Sequence, residues 1–207
     1  MMPPRLFAAL GAALLAVGCA GPYVRQVEMP AIPAPLMTRI PLAVGVHYTP
    51  EFRAAQPMTS MNIEGMGSVE NTWVVGEPSV AMFDTVLRGM FEKVVEVKQW
   101  PPTDSRPEVA GVLVPKMPAV ALPTGVFVSA DRAYIGYRLE LFLASGEFLG
   151  AWDVVGGGGS GSQFVLGRTM VRDAMRSAAA VLVVSFFRDT QARAWLEANG
   201  VVPERLR

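Results

Sequence analysis

The stretch Trp152-Asp-Val-Val-Gly-Gly-Gly-Gly-Ser-Gly-Ser-Gln-Phe164 decides between two folds. Gly156, Gly158 and Gly161 satisfy G-x-G-x-x-G, follow an apolar run that suits a strand, and precede a helical pattern. In a dinucleotide-binding unit such glycines permit a tight turn and close approach to a pyrophosphate. The helix and a second parallel strand then bring an acid to the ribose about twenty residues further on. Here the helical pattern leads into another helix, and no second parallel strand can be placed. A P-loop fails as well, because Ser162 and Gln163 stand where phosphate and magnesium would require Lys followed by Ser or Thr. Four consecutive glycines also lose much backbone entropy on ordering around an anion. The stretch therefore reads as a flexible strand-to-helix connection.

On its C-terminal side, Val171, Ala174, Met175, Ala178, Val181, Leu182 and Phe186 recur at helical spacing, with Arg168, Arg172, Asp173 and Arg176 at the wetter start. Ser177–Phe187 is eleven uncharged residues, too short to span a bilayer and suited to a buried core helix. A short helix near Gln191–Ala198 ends at Asn199-Gly200, with Trp195 and Leu196 placed to dock it.

On its N-terminal side the pattern has the period of strands. Ala133–Leu143 and Phe148–Val155 flank Ser145-Gly146, a hairpin signal, and Ile135, Tyr137, Leu139 and Leu141 share one face. Earlier strands are expected at Ile40–Tyr48, weakly at Thr72–Val75, at Val94–Trp100, at Val109–Val114 and around Gly125–Ser129. Between them Pro78 suits a first helical position, and Val80, Phe83, Leu87, Met90 and Phe91 mark an amphipathic helix to about Glu92. The expectation is an α+β, two-layer domain, a largely antiparallel sheet covered by one central and one long C-terminal helix.

With 207 residues, half of them hydrophobic, the chain can bury a substantial core. Eighteen basic residues balance eighteen acidic ones, which gives no basic excess for binding nucleic acid. A single cysteine excludes an intrachain disulfide, and with a single histidine it excludes Cys/His zinc clusters. No metal site or cofactor is expected.

The start, MMPPRLFAALGAALLAVGCAG, has a short positive region at Arg5, an apolar run of twelve residues from Leu6 to Val17, and small residues before Cys19. Twelve residues are too few for a membrane span and suit a signal sequence. Leu15-Ala-Val-Gly-Cys19 resembles the lipobox of bacterial lipoproteins, although Ala16 stands three places before the cysteine where that pattern usually has Leu. The resemblance implies acylation of Cys19 after cleavage. With no Asp following the cysteine, it also implies export to the outer membrane of a diderm bacterium. The alternative is an ordinary secretory signal that contains a cysteine. Residues 1–18 are thus expected as a lipoprotein signal peptide, 19–39 as a lipidated tether rich in proline (Pro22, Pro30, Pro33, Pro35), and 40–207 as one periplasmic α+β domain. An irregular segment lying on the domain is the alternative for 19–39.

Catalytic chemistry is thinly represented. There is no G-x-S-x-G elbow, no H-E-x-x-H and no paired-acid motif, and a Ser-His-Asp arrangement would have to use His47. Two stretches, Gly76-Glu-Pro-Ser79 through Phe83, Leu87 and Phe91 into Val94-Val95, and Ala174–Ala180 with Phe186-Phe187 and Trp195-Leu196, resemble small proteobacterial outer-membrane lipoproteins. More loosely, the order of elements is similar to the periplasmic lipoproteins of lipopolysaccharide assembly, curli secretion and exopolysaccharide secretion. That resemblance implies assembly and scaffolding, with a membrane contact through the anchor and a protein partner or self-association in the envelope. The enzymatic alternative is a membrane-tethered hydrolase or ligand-binding enzyme using a pocket around His47, Glu64 or Asp153.

Overall fold

The computed structural model describes residues 23–33, 35, 37–63, 67–102, 108–121, 127–128, 132–159 and 165–202. The chain runs β1 (Tyr23–Gln26), β2 (Ile40–Val46), α1 (Pro50–Arg53), β3 (Met58–Ile63), β4 (Gly67–Val74), α2 (Gly76–Met90), β5 (Phe91–Glu96), β6 (Gly111–Ala121), β7 (Phe127–Val128), β8 (Arg132–Leu143), β9 (Phe148–Gly159), β10 (Val165–Leu166), α3 (Gly167–Arg188) and α4 (Thr190–Ala198). A five-stranded sheet has the order β5-β2-β6-β8-β9, a three-stranded sheet the order β1-β4-β3, and β7 pairs with β10. The long β6-β8-β9 ladder is antiparallel, as is β3-β4. The β2-β5, β2-β6 and β1-β4 pairings are parallel.

The expected α+β architecture is present, with α2 and α3 on one face of the large sheet. Ala133, Ile135, Tyr137, Leu139 and Leu141 of β8 are fully buried on that face, as the period of two requires. Phe83 of α2 meets the Tyr137 ring edge-on at 5.1 Å. On α3, Ala174, Ala178 and Leu182 are buried, and their spacing of four puts them on one side of a helix. Val181, expected beside Leu182 on the sheet, is only half-buried. Trp195 and Leu196 of α4 are buried, and Trp195 Nε1 donates to the Ala110 carbonyl just before β6 at 3.3 Å. Among the described residues no helix is long and apolar enough to cross a membrane.

The glycine run corrects one expectation. Gly156–Gly159 are not a loop: they continue β9, paired in register with Ile135, Tyr134, Ala133 and Arg132. Alternation explains their placement, since Trp152, Val154, Gly156 and Gly158 face inward while Asp153, Val155, Gly157 and Gly159 face out. A Cβ on Gly158 would collide with the Met170 carbonyl oxygen and lie 2.6 Å from the Ala174 nitrogen. One on Gly156 would collide with the Ala174 carbonyl oxygen and lie 2.7 Å from the Ala178 Cβ. These glycines therefore let the α3 backbone rest on the sheet. Further along, the inner side chains grow from Gly through Val154 to Trp152, whose ring lies 5.7 Å from Phe186. The inner glycines of β9 thus lie under the first turns of α3 and the Trp152 ring under its last.

The tether expectation needs revision too. Residues 23–26 pair with Asn71–Val74 as a parallel edge strand. Arg25 donates from Nε to Asn71 Oδ1 at 2.7 Å and lies over the Trp73 ring at 5.6 Å. Val27 is buried, a Cβ on Gly89 would touch Pro35, and Arg176 donates to the Ala31 carbonyl at 3.4 Å. The described part of 19–39 lies on the domain because the β4 edge offers backbone groups that β1 satisfies.

Candidate functional site

A cleft of about 540 Å³ opens between the segment 49–57 and the outer half of β6. Its first wall is made by a local capping arrangement. Thr49 is the N-cap of α1 and its hydroxyl accepts from the Phe52 amide at 3.2 Å, Pro50 follows, and Glu51 supplies an acid in the first turn. This fixes Phe52, which is buried and stacks at 5.9 Å on Tyr48, beneath the cleft. Ala55, Gln56 and Pro57 continue that wall, while Lys116, Met117 and Val120 form the opposite one.

The two charged groups of the cleft already have partners. Lys116 Nζ lies 2.7 Å from Glu140 Oε2. The Glu51 carboxyl is held below the usual range by its own backbone amide and then by the Thr49 hydroxyl. What remains is an apolar floor with a polar rim, which suits an apolar side chain or chain segment.

Two phenols sit behind this wall. Tyr48 donates to Asp84 Oδ1 at 2.8 Å, and burial, followed by the Asp84 charge, raises it far above its ordinary range. Tyr137 shares a 2.9 Å hydrogen bond with Ser79 and is likewise raised by burial, which outweighs the lowering effect of that bond. Ser79 also donates to the Val75 carbonyl at 2.7 Å. The first network ties α2 to the segment after β2 and the second ties it to β8, and both hold their protons.

The residues of the enzymatic alternative do not converge. His47 Nδ1 lies 2.7 Å from the Val97 carbonyl, tying the end of β2 to the segment after β5. Asp153 lies on β9, three strands from β2 with β6 and β8 between them, exposed and 3.4 Å from Arg138. Glu64, Gly161 and Cys19 lie outside the described residues. Among the described residues no three His, Cys, Asp or Glu side chains are grouped to hold a metal ion. The cleft itself escapes a reading of sequence, because its walls lie some sixty residues apart. Thr49-Pro50-Glu51 was the available signal for its first wall.

No protein-family model matches the chain, and no curated protein matches it in sequence. Three solved structures are similar in chain course. A Xanthomonas campestris protein of the DUF330 family has a TM-score of 0.49 at 12% identity, covering 77% of this chain and 92% of its own. An uncharacterised protein has a TM-score of 0.35 at 14% identity, covering 81% and 99%. A neuraminyllactose-binding hemagglutinin homologue from Helicobacter pylori has a TM-score of 0.36 at 9% identity, covering 85% and 99%. Xanthomonas and Helicobacter are Gram-negative bacteria.

Proposed function

We propose that this chain is a lipid-anchored protein of the bacterial outer membrane, facing the periplasm, whose domain binds or helps assemble another envelope component without catalysing a reaction. The observation that carries the reading is Leu15-Ala-Val-Gly-Cys19 behind a twelve-residue apolar run, with the chain's single cysteine at the lipobox position. The two or three acyl chains of a lipoprotein make attachment effectively permanent, since each buried methylene contributes about 0.8 kcal/mol. The non-catalytic part is supported by the cleft, where an apolar floor meets a rim whose charged groups, Lys116 and Glu51, already have partners. Among the described residues β1 and β3 are the outer strands of the three-stranded sheet, the kind of element that pairs with a partner's strand.

Cys19→Ser is the test. The serine variant is expected to remain unprocessed or to leave the outer-membrane fraction, and to take up no labelled fatty acid. Fractionation identical to the parent would overturn the anchor. For the domain, crosslinking in intact cells through a photoreactive residue at Gln56, on the cleft rim, is expected to capture one discrete species.

A further inference from the structure

The open face of the three-stranded sheet lies close to the place where the lipid would enter. Val24 of β1, Thr72 of β4 and Met58 of β3 form one row across the three strands, so their side chains leave the same face. Val24 is 60% exposed and Met58 69%, while Tyr23, at the start of β1, is 57% exposed. Trp73, on the opposite face, is buried and hydrogen-bonded to Thr59.

Docking of β1 shortens the link to the anchor. Cys19 and Tyr23 are four positions apart, with Ala20, Gly21 and Pro22 between them, and at full extension that stretch spans at most about 14 Å. One headgroup layer is about 5–8 Å thick, taken as half the difference between the whole bilayer and its hydrocarbon core. A lipidated Cys19 would thus keep Tyr23 within a few ångströms of the headgroups or among them. The 21 residues of a free 19–39 tether would let the domain stand several times further away.

We infer that the face of the three-stranded sheet carrying Val24 and Met58 is the seat of the domain on the lipid bilayer. The inference rests on the anchor reading above. Tyr23, the residue before Val24 on β1, leaves the other face, while Val24 and Met58 supply the apolar contact. Gln26, Ser60 and Glu70 share their face and are exposed, which makes the contact shallow. The domain rests on the membrane through this face and presents its other surfaces to the periplasm.

The test uses the full mature protein, reconstituted into vesicles of phosphatidylethanolamine and phosphatidylglycerol. Lipidation consumes the chain's single cysteine, so M58C or V24C carries the only free thiol and takes one environment-sensitive fluorophore. V184C is the control, on α3 at a position 49% exposed. Emission from 58 and 24 is expected to shift to the blue on reconstitution and to be quenched by nitroxide-labelled lipid, while 184 does neither. Two results overturn the seat: 58 and 24 as unquenched as 184, or shielding at 58 that vanishes as protein is diluted in lipid, which would mean a second copy covers the patch. If M58C instead shows two free thiols and fails to float with vesicles, the anchor reading has failed and the seat falls with it.

Discussion

Gly158 on β9 and Met170 on α3 meet backbone to backbone: the carbonyl oxygen of Met170 occupies the space a side chain at 158 would need. A carbonyl inside a helix cannot swing aside as a flexible side chain can. Gly158→Ala must therefore push α3 off the sheet, and the expected cost is about 1–3 kcal/mol or more. Gly159→Ala is the control, because its Cβ would lie 3.3 Å from Arg132 Cγ, on a chain exposed to solvent and able to move. It is expected to be neutral or to stabilise by up to about 1 kcal/mol, since alanine loses less entropy in a strand. Urea midpoints of the two variants check this, and equal midpoints would refute the close-contact account.

Leu182 tests the other end of the same helix. It is buried among residues of one continuous core. Leu182→Ala is expected to lose about 2–5 kcal/mol through lost contacts and the cavity left behind. An unchanged thermal midpoint would mean that α3 is held by something other than this packing.

What was legible in the sequence followed from periodicity carried by side chains. The β8-β9 hairpin, α2, α3 and α4 all show their buried faces directly, in Tyr137 and Leu139, in Phe83 and Leu87, and in Ala174 and Leu182. The glycine run hides its period because glycine has no side chain to display it. Only by extending the alternation of Trp152, Asp153, Val154 and Val155 do Gly156 and Gly158 fall inward. Composition spoke for flexibility, and tertiary packing against Ala174 and Ala178 overrode it. β1 was hidden for a related reason: Tyr-Val-Arg-Gln among prolines becomes a strand only because β4 presents an edge nearly fifty residues later.

The buried phenols predict a response to alkali. An unfolded tyrosine ionises near pH 10, whereas Tyr48 and Tyr137 in the fold keep their protons to higher pH. Above about pH 10 the unfolded chain therefore binds fewer protons than the native one. Stability, complete below that pH, falls as pH rises, by about 1.4 kcal/mol per unit for each phenol. Tyr137→Phe removes one such group. Between pH 9 and 11 the variant is expected to lose about 1.4 kcal/mol less than the parent in urea titrations, and parallel losses would contradict the assignment.

His47 separates binding from catalysis. The hydrogen bond of its ring with the Val97 carbonyl, the contact that the substitution removes, is worth about 0.5–1.5 kcal/mol. His47→Ala is therefore expected to lower the urea midpoint slightly and to leave capture of the envelope partner intact. If a hydrolytic activity of the parent fell by orders of magnitude in this variant, the enzymatic alternative would replace the proposal.

Arg25 decides how firmly the chain's first strand is held. β1 is four residues long and lies at a sheet edge, so it belongs to the part of the molecule that opens locally at low cost. Its guanidinium supplies two contacts to β4, the hydrogen bond to Asn71 and the position over Trp73. A charged hydrogen bond contributes about 1.5–3 kcal/mol and a partly exposed cation–π contact about 0.5–1 kcal/mol. Taking about 2 kcal/mol together, Arg25→Ala should raise the open population of β1 roughly thirtyfold, because each 1.4 kcal/mol is a factor of ten. Where opening is fast relative to cleavage, proteolysis follows that population. Limited proteolysis is therefore expected to cut within residues 23–39 some tens of times faster in Arg25→Ala, while cleavage elsewhere and the global urea midpoint change little. If the segment in the parent is already cut as fast as an unstructured peptide, β1 is not docked in solution and residues 19–39 act as the free tether their prolines suggest.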